Sequence, residues 1–246
     1  MHDAASPDAV RVLLLQARRP DDPMREHERG CFVRASGLDS DDLQCINLVD
    51  TVPTISDLVR FDALMVGGAG HFSLTDRAED FYEPVSRLLR TVVDEGFPTF
   101  ASCFGYQLLV HALGGVVASD PAGSEVGSFR LRLTDAGRRD ELFGSLPDEF
   151  TAQLGHTDRA VEMPAAIPNL ASSERSPFQA LRIPDRPIWA TQFHPELDQE
   201  TNRDRYLAYI ERYDPQRRGE ESSGFTSLPS VEASTLLPRF LQIIRG

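Results

Sequence analysis

The sequence predicts an α/β fold, with a mostly parallel central sheet between two layers of helices and a smaller antiparallel portion. Up to Gly115, short apolar segments alternate with segments whose apolar residues recur at helical spacing. This pattern is typical of strand–helix–strand units and of a parallel sheet covered on both faces. After Gly115, short strand-like segments follow one another between Pro, Gly, Asn and Asp residues, which favours antiparallel strands joined by turns.

The first half of the chain is predicted to alternate strands and helices. Asp22 and Pro23 suit the start of a helix, because proline fits the first helical turn. Gly96 suits the end of another helix. In chain order we expect a strand at Val10–Gln16, a helix at Pro23–Ala35, strands at Leu43–Leu48 and Ala63–Val66, a helix at Pro84–Glu95, a strand at Pro98–Ser102 and a helix at Phe104–Leu113.

The second half is predicted to hold further strands and two helices, the last of them amphipathic. The expected strands are Ser128–Leu133, Phe150–Leu154, Ala160–Met163, Phe178–Ile183 and Ile188–Phe193, and a helix is expected at Asn202–Tyr213. A chain of 246 residues can bury one sizeable core. We therefore expect one domain over residues 1–213, a polar connecting segment at 214–230, and a helix within 231–246 that packs on the same domain.

Composition excludes several classes of function. The formal net charge is −13 and all 25 basic residues are arginine, so no lysine-rich patch is available and nucleic-acid binding is disfavoured. The three cysteines lack Cys-x-x-Cys spacing, which argues against a disulfide framework or a structural zinc site; Cys31 and Cys45 are expected to be packing residues. No apolar run reaches the ~18 residues that span a bilayer. We expect a cytoplasmic protein with no membrane contact, metal or cofactor.

Cys103 lies where a buried strand ends and a helix begins. α/β enzymes present nucleophiles at such strained turns, which require small residues two positions before and after; Ala101 and Gly105 meet that need. The unpaired N–H groups and positive dipole at a helix start favour a thiolate. A lone cysteine is more often a packing residue, so a catalytic role depends on finding a base.

A second apolar strand supplies that base. It ends at His194, and Glu196 follows two residues later, with Pro195 between them. A histidine at a strand end and a nearby carboxylate can act as a general base and the group that orients it. Cys103, His194 and Glu196 are therefore predicted to form a catalytic triad.

These residues also carry a family resemblance. Cys103-Phe-Gly-Tyr-Gln107 and Gln192-Phe-His194-Pro-Glu196 resemble the two signatures of class I glutamine amidotransferases. Four further blocks lie in family order, within roughly residues 10–213. Leu64-Met-Val-Gly-Gly68-Ala-Gly resembles the family's strand and Gly-Gly-Pro oxyanion loop, and Gly114-Gly115 matches the glycine pair that follows the nucleophile helix. Glu125-Val-Gly127 resembles the Glu-x-Gly of the substrate loop, and Gly155-His156-Thr-Asp158 resembles the Ser-His-Gly-Asp turn. The sequence departs from the family where Ala101 replaces a usual glycine and Ala69 a usual proline.

The resemblance implies a flavodoxin-like three-layer sandwich and cysteine-dependent hydrolysis of the glutamine side-chain amide through a γ-glutamyl thioester. The nearest-looking relatives are glutaminase domains of the GMP-synthase type. The resemblance also implies that the released ammonia passes to a synthetase subunit, which must be a separate protein because this chain has no room for a synthetase domain. It implies an oxyanion hole made by the backbone N–H groups of Gly68 and Phe104. It implies that L-glutamine or another γ-glutamyl amide is held by the following residues: Gln107, Val126, Gly127, Ser128 and Phe129. His156 is as consistent with a structural role as with substrate binding.

Two alternatives remain open at the level of sequence. The same triad would serve an independent γ-glutamyl hydrolase or peptidase. A regulatory binding protein could keep the fold without turnover, although the intact set of Cys103, His194 and Glu196 makes that the weakest alternative.

Overall fold

A computed structural model describes residues 9–76, 79–210 and 225–246. The strands, numbered along the chain, are β1 (Val12–Ala17), β2 (Leu43–Asn47), β3 (Ala63–Ala69), β4 (Thr99–Ser102), β5 (Val116–Ser119), β6 (Glu125–Leu133), β7 (Glu149–His156), β8 (Asp158–Glu162), β9 (Asn169–Ser173), β10 (Ala180–Arg182) and β11 (Ile188–Thr191). The α-helices are α1 (Met24–Ser36), α2 (Ile55–Leu58), α3 (Tyr82–Glu95), α4 (Phe104–Ala112), α5 (Asp135–Arg139), α6 (Gln199–Ala208) and α7 (Leu236–Arg245).

Within the described residues, nine strands form one sheet in the order β2-β1-β3-β4-β11-β10-β9-β6-β7. The strands from β2 to β11 in this order pair in parallel, and the remaining pairs are antiparallel. Strands β5 and β8 form a small separate antiparallel sheet. The predicted α/β fold, with a parallel part and a smaller antiparallel portion, is confirmed.

The core lies on both faces of the large sheet. Along β1, Leu13 and Leu15 belong to one buried apolar cluster while Val12 and Leu14 belong to another, because successive side chains of a strand point to opposite faces. The first cluster includes apolar residues of α3 and α4, and the second includes those of α1 and α7. In α7, the Phe240 ring centroid lies 5.7 Å from that of Phe100. The helices therefore cover both faces of the sheet.

Several element boundaries differ from the sequence prediction. Strands β5 and β9, together with the short helices α2 and α5, were not predicted. Strand β5 has a largely exposed surface, and β9 contains Asn and Ser residues, so neither shows a strong apolar pattern. Helix α6 starts earlier and ends earlier than predicted. The predicted helix residues 211–213 and most of the predicted connecting segment 214–230 lie outside the described residues.

The chain that precedes α7 runs beside β6. The Ser128 N–H donates to the Thr226 carbonyl at 2.8 Å, and the Leu228 N–H donates to Ser128 Oγ at 2.8 Å. The ring of Phe225 stacks on that of Tyr206 in α6, with centroids 4.6 Å apart. Strand β9 pairs with β6 only at residues 131–133. The chain before α7 therefore occupies the part of this edge of β6 that β9 leaves open.

Candidate active site

The turn between β4 and α4 holds Cys103 in a strained backbone conformation. Cys103 has φ 50° and ψ −102°, in a region that non-glycine residues rarely adopt. Gly105 lets the helix approach the sheet, because a Cβ at this position would lie 2.6 Å from the Val66 carbonyl oxygen. The predicted sharp turn and the need for a small residue at 105 are confirmed, and the turn places the thiol at the start of α4.

His194 comes to the same place because β11 lies next to β4. The two strands are parallel, with Thr191 opposite Ser102, and the Cys103 N–H donates to the Thr191 carbonyl at 2.7 Å. Parallel strands end at the same edge of a sheet, so the residues that follow them lie together. The His194 N–H donates to the Gln153 carbonyl at 2.8 Å, which fixes the chain immediately after β11.

The imidazole of His194 and the carboxylate of Glu196 form a buried pair. His194 Nδ1 lies 2.6 Å from Glu196 Oε1, and both residues are only 3% exposed. Burial would lower the pKa of His194, but the negative charges of Glu196 and of a Cys103 thiolate outweigh it and raise the pKa to about 9. This contact requires the proton on Nδ1 and leaves Nε2 available for proton exchange.

Glu196 stays ionised because cations surround it. Burial would raise the pKa of this carboxyl group, but His194 and Arg205 outweigh that effect and hold the pKa at about 2. Arg205 Nη1 lies 3.4 Å from Glu196 Oε1 and 3.2 Å from His194 Nδ1. Arg205 was not singled out from the sequence, because an arginine on a predicted helix carries no local signal of a buried partner.

A small cavity adjoins the Cys103 thiol. Its volume is about 40 Å³, and it opens to solvent. Three of the residues predicted for the site, Phe104, Gln107 and His156, border it. The lining residues are Ala69, Phe72, Cys103, Phe104, Gln107, Gly155, His156, Thr157 and Asp158.

The first turn of α4 supports the predicted oxyanion donor at Phe104. Phe104 is the first residue of α4 and follows Cys103 directly. The first N–H groups of a helix have no partner inside that helix. The Phe104 N–H is therefore suited to meet a negative charge that develops beside the thiol.

In this structure the Gly68 N–H has a partner within the protein. The Gly68 N–H donates to Glu28 Oε1 at 3.0 Å, and Glu28 is fully buried on α1. The carboxylate lies directly beneath this loop, because a Cβ on Gly67 would come within 2.7 Å of the same oxygen. The Gly68 N–H thus points to Glu28, and the following residue, Ala69, borders the cavity instead.

The expected substrate-binding residues on β6 lie next to a strand that borders the cavity. Val126, Gly127, Ser128 and Phe129 are absent from the described cavity lining. They pair with residues 155–152 of antiparallel β7, so Val126 lies beside Gly155, which borders the cavity. Residues 127–129 lie beside residues 154–152, which do not border it. The Ser128 N–H is also occupied by the chain before α7. On this side of the site, residues 155–158, from the end of β7 to the start of β8, border the cavity.

His156 borders the cavity, yet its side chain has a structural partner. His156 Nε2 lies 3.2 Å from Glu125 Oε2, and the same oxygen accepts a hydrogen bond from Gln179 Nε2 at 2.6 Å. All three side chains are buried. The ring therefore fixes the 155–158 backbone against β6 and β10.

Two glutamines connect the cavity to the thiol. The side-chain amide of Gln107 donates to the Asp158 carbonyl at 2.7 Å and to Gln192 Oε1 at 3.3 Å. Gln192 Nε2 in turn donates to Cys103 Sγ at 3.7 Å. Gln192 belongs to the second sequence motif but was not assigned a role there. Its amide is a further polar group aimed at the nucleophile.

The described part of the chain holds no cluster of three or more His, Cys, Asp or Glu side chains arranged to bind a metal ion. In the same residues, none of the helices combines the length and apolar character that crossing a bilayer requires.

Comparisons with known proteins agree on one family. The family model described as "Glutamine amidotransferase class-I" matches residues 44–210. GMP synthase (glutamine-hydrolyzing) of Thermosipho africanus is 35% identical over 116 residues, which cover 47% of this chain and 22% of that protein. The same enzyme of Streptococcus pneumoniae is 38% identical over 108 residues, covering 43% and 20%. This chain therefore matches about a fifth of the length of these relatives.

A solved structure shares the fold over nearly the whole chain. A glutamine amidotransferase from Thermotoga maritima superimposes with a TM-score of 0.68, covering 96% of this chain and 98% of the other. Sequence identity between the two is 17%, so this likeness shows the common fold alone.

Proposed function

Since this chain belongs to the class-I glutamine amidotransferase family, we propose that it hydrolyses the side-chain amide of glutamine to glutamate and ammonia, with Cys103 as nucleophile. One observation carries the proposal. A cysteine in a strained turn at the start of a helix adjoins the end of a parallel strand that carries a buried His–Glu pair. This combination of an activated nucleophile, a base and an orienting group suits attack on an amide carbon.

The first half of the reaction forms a thioester. The Cys103 thiolate attacks the γ-amide carbon, and the carbonyl oxygen becomes an oxyanion that the Phe104 N–H stabilises. His194, whose pKa is raised to about 9, is protonated at neutral pH and gives its proton to the departing nitrogen. The carbon–nitrogen bond breaks, ammonia leaves, and a γ-glutamyl thioester with Cys103 remains.

The second half of the reaction releases glutamate. His194, now neutral, removes a proton from a water molecule, and the resulting hydroxide attacks the thioester carbon. The carbon–sulfur bond breaks, glutamate leaves, and the thiolate and imidazolium are restored. Glu196 keeps its negative charge throughout, because its pKa is held at about 2, and it holds the imidazole in one tautomer.

The cavity limits how substrate can enter. The space beside the thiol, about 40 Å³, is small for a whole γ-glutamyl group. The loop from Ala69 to Thr75 borders the cavity through Phe72 and is held to Asp158 by the hydroxyls of Ser73 and Thr75. We propose that this loop moves aside when glutamine binds.

The ammonia acceptor is proposed to be a synthetase on a separate protein. The two curated relatives are named GMP synthase (glutamine-hydrolyzing), a name that joins glutamine hydrolysis to a synthetic step. The proposal therefore assigns the hydrolytic step to this chain and the use of ammonia to a partner. It predicts a basal glutaminase activity that rises when such a partner is added.

The test is ammonia release from glutamine and from a γ-glutamyl dipeptide, measured side by side. We expect turnover of glutamine that Cys103→Ala abolishes and Cys45→Ala preserves, because Cys45 is half-buried on β2 and does not border the cavity. Turnover of the dipeptide but not of glutamine would contradict the proposal and indicate an independent γ-glutamyl hydrolase. Failure of both substrates, with Cys103 also inert to a glutamine-like alkylating agent in cell extract, would favour a non-catalytic protein.

A further inference from the structure

A buried arginine contacts both members of the His–Glu pair. Arg205 lies on α6 and is 4% exposed. One guanidinium nitrogen, Nη1, lies within hydrogen-bonding distance of both His194 Nδ1 and Glu196 Oε1. Because Nδ1 donates its proton to Glu196, Glu196 Oε1 is the acceptor that His194 and Arg205 share. The guanidinium thus restrains the carboxylate oxygen that orients the imidazole.

Glu28 holds Arg205 from the other side. Arg205 Nη2 lies 3.9 Å from Glu28 Oε1, and Glu28 is itself bound by Arg18 through contacts of 2.7 Å and 3.1 Å. Side chains of α1, the end of β1 and α6 therefore form one buried row of alternating charges that ends at the catalytic pair. Each charge in this row has an opposite neighbour, which burial requires.

Stability alone does not account for this arrangement. Among the described residues, the buried Arg205 Nε and Nη2 atoms and Glu196 Oε2 have no hydrogen-bond partner. A buried polar atom without a partner costs free energy. A guanidinium left with two such nitrogens is a poor way to stabilise a fold, whereas its contacts with His194 and Glu196 bear directly on the reaction.

The charges of the site also balance only when Arg205 is present. When Cys103 is in the thiolate form that the proposed reaction requires, Cys103 and Glu196 are negative, and the His194 imidazolium and Arg205 are positive. Without Arg205 this group carries a net negative charge, which disfavours a further anion in a buried site. The ionisable groups that face Arg205 are His194 and Glu196 after β11, His27, Glu28 and Cys31 on α1, Arg18 after β1, and Tyr209 after α6.

We propose that Arg205 is a positioning residue that acts on His194 through Glu196 and keeps the site neutral, with Glu28 holding it in place. The proposal rests on the proposed role of Cys103, His194 and Glu196, but not on glutamine as the substrate. It therefore predicts an effect on the reactivity of Cys103 itself.

The test compares Arg205→Met, Arg205→Lys and Arg203→Met. Arg203 is an exposed residue of the same helix and serves as the matched control. The rate of alkylation of Cys103 by iodoacetamide is followed from pH 5 to 9 by peptide mass spectrometry, which separates Cys103 from Cys31 and Cys45. The kcat and KM for glutamine are measured on the same samples, and thermal melts show whether each variant is folded.

We expect the alkylation profile of Arg205→Met to move to higher pH by about one unit, and its kcat at pH 7 to fall about tenfold or more. Arg205→Lys keeps the charge, so its profile stays with that of the wild type. Its kcat falls severalfold with little change in KM, because an ammonium group cannot reproduce the guanidinium contacts. The profile of Arg203→Met matches the wild type.

A folded Arg205→Met variant with the wild-type profile would overturn the proposal, and so would equal profiles for the Lys and Met variants. If the Met variant does not fold, the Lys variant decides, because wild-type kcat in that variant would also overturn it. Alkylation needs no substrate. A shifted alkylation profile without glutamine turnover would therefore uphold the role of Arg205 while refuting the proposed substrate.

Discussion

Gly105 provides a sharp test of how the turn at Cys103 is built. In Gly105→Ala, the new Cβ would lie 2.6 Å from the Val66 carbonyl oxygen and 2.8 Å from Val66 Cβ. Ordinary contacts begin near 3.4 Å, so α4 and β3 must separate by about 0.8 Å. The nearest atom belongs to the backbone of a central strand and cannot rotate away.

The size of the effect follows from that displacement. Overpacking of this kind costs about 1–3 kcal/mol, which lowers Tm by about 2–12 °C for a chain of this size. The start of α4 carries Cys103 and the Phe104 N–H, and a shift of about 1 Å in a reacting group can reduce the rate about 100-fold. We therefore expect a folded protein with a modestly lower Tm and a kcat reduced by roughly two orders of magnitude.

The assay pairs thermal melts with glutamine hydrolysis, and Gly30→Ala is the matched control. Gly30 lies inside α1, where an added Cβ would meet only the mobile end of Arg34, at 3.2 Å. Replacing glycine by alanine in a helix stabilises it by up to about 1 kcal/mol, so the control keeps its activity and its Tm does not fall. Wild-type Tm and kcat in Gly105→Ala would refute the reasoning, as would a lower Tm with unchanged kcat.

Three further predictions concern the charges and the loop at the site. Glu196→Gln removes the charge that raises the pKa of His194, so kcat should fall by about 10²–10⁴-fold, while Cys103 should still be alkylated. An unchanged kcat would contradict the orienting role of Glu196. The pKa of His194 is about 9 in the folded protein and ~6.5 in the unfolded chain, so its contribution to the free energy of unfolding is complete below pH ~6.5 and is lost as pH rises to about 9. In urea titrations over this range, the free energy of unfolding of the wild type should fall by up to about 3 kcal/mol more than that of His194→Asn; an equal fall in both proteins would disprove the linkage. Ser73→Ala removes a hydrogen bond between the loop and Asp158. Because the closed position of the loop then loses about 1 kcal/mol of stabilisation, the rate of Cys103 alkylation at pH 7 should rise roughly fivefold; an equal or slower rate would show that this contact does not restrict access to the thiol.

The elements that depended on local pattern were predictable from the sequence. Helix α3 and the turn from β4 to α4 carry strong apolar periodicity and marked end residues, Gly96 among them. The motif around His194 gave its position at a strand end, and the structure places it after β11. Weakly apolar strands such as β5 gave no such pattern and were missed.

The partners of individual side chains and backbone groups were not predictable. The Gly68 N–H donates to Glu28, which is far away in the sequence, and its role toward substrate stays a prediction. The expected role of Val126 to Phe129 likewise stays a prediction, since the cavity is bordered by the end of β7, with which they pair. Neither contact can be predicted from the spacing of apolar residues along the chain.

The sequence by itself determined the α/β fold, the strained turn that presents Cys103, and the His194 and Glu196 motif at the end of a second strand, because these features depend on residue types at short, fixed spacings. Only the tertiary structure decided that β11 lies beside β4, that Arg205 contacts both His194 and Glu196 with Glu28 on its other side, and that the cavity beside Cys103 is small. Those outcomes depend on which distant segments pack together, and burial of charge then fixes their partners.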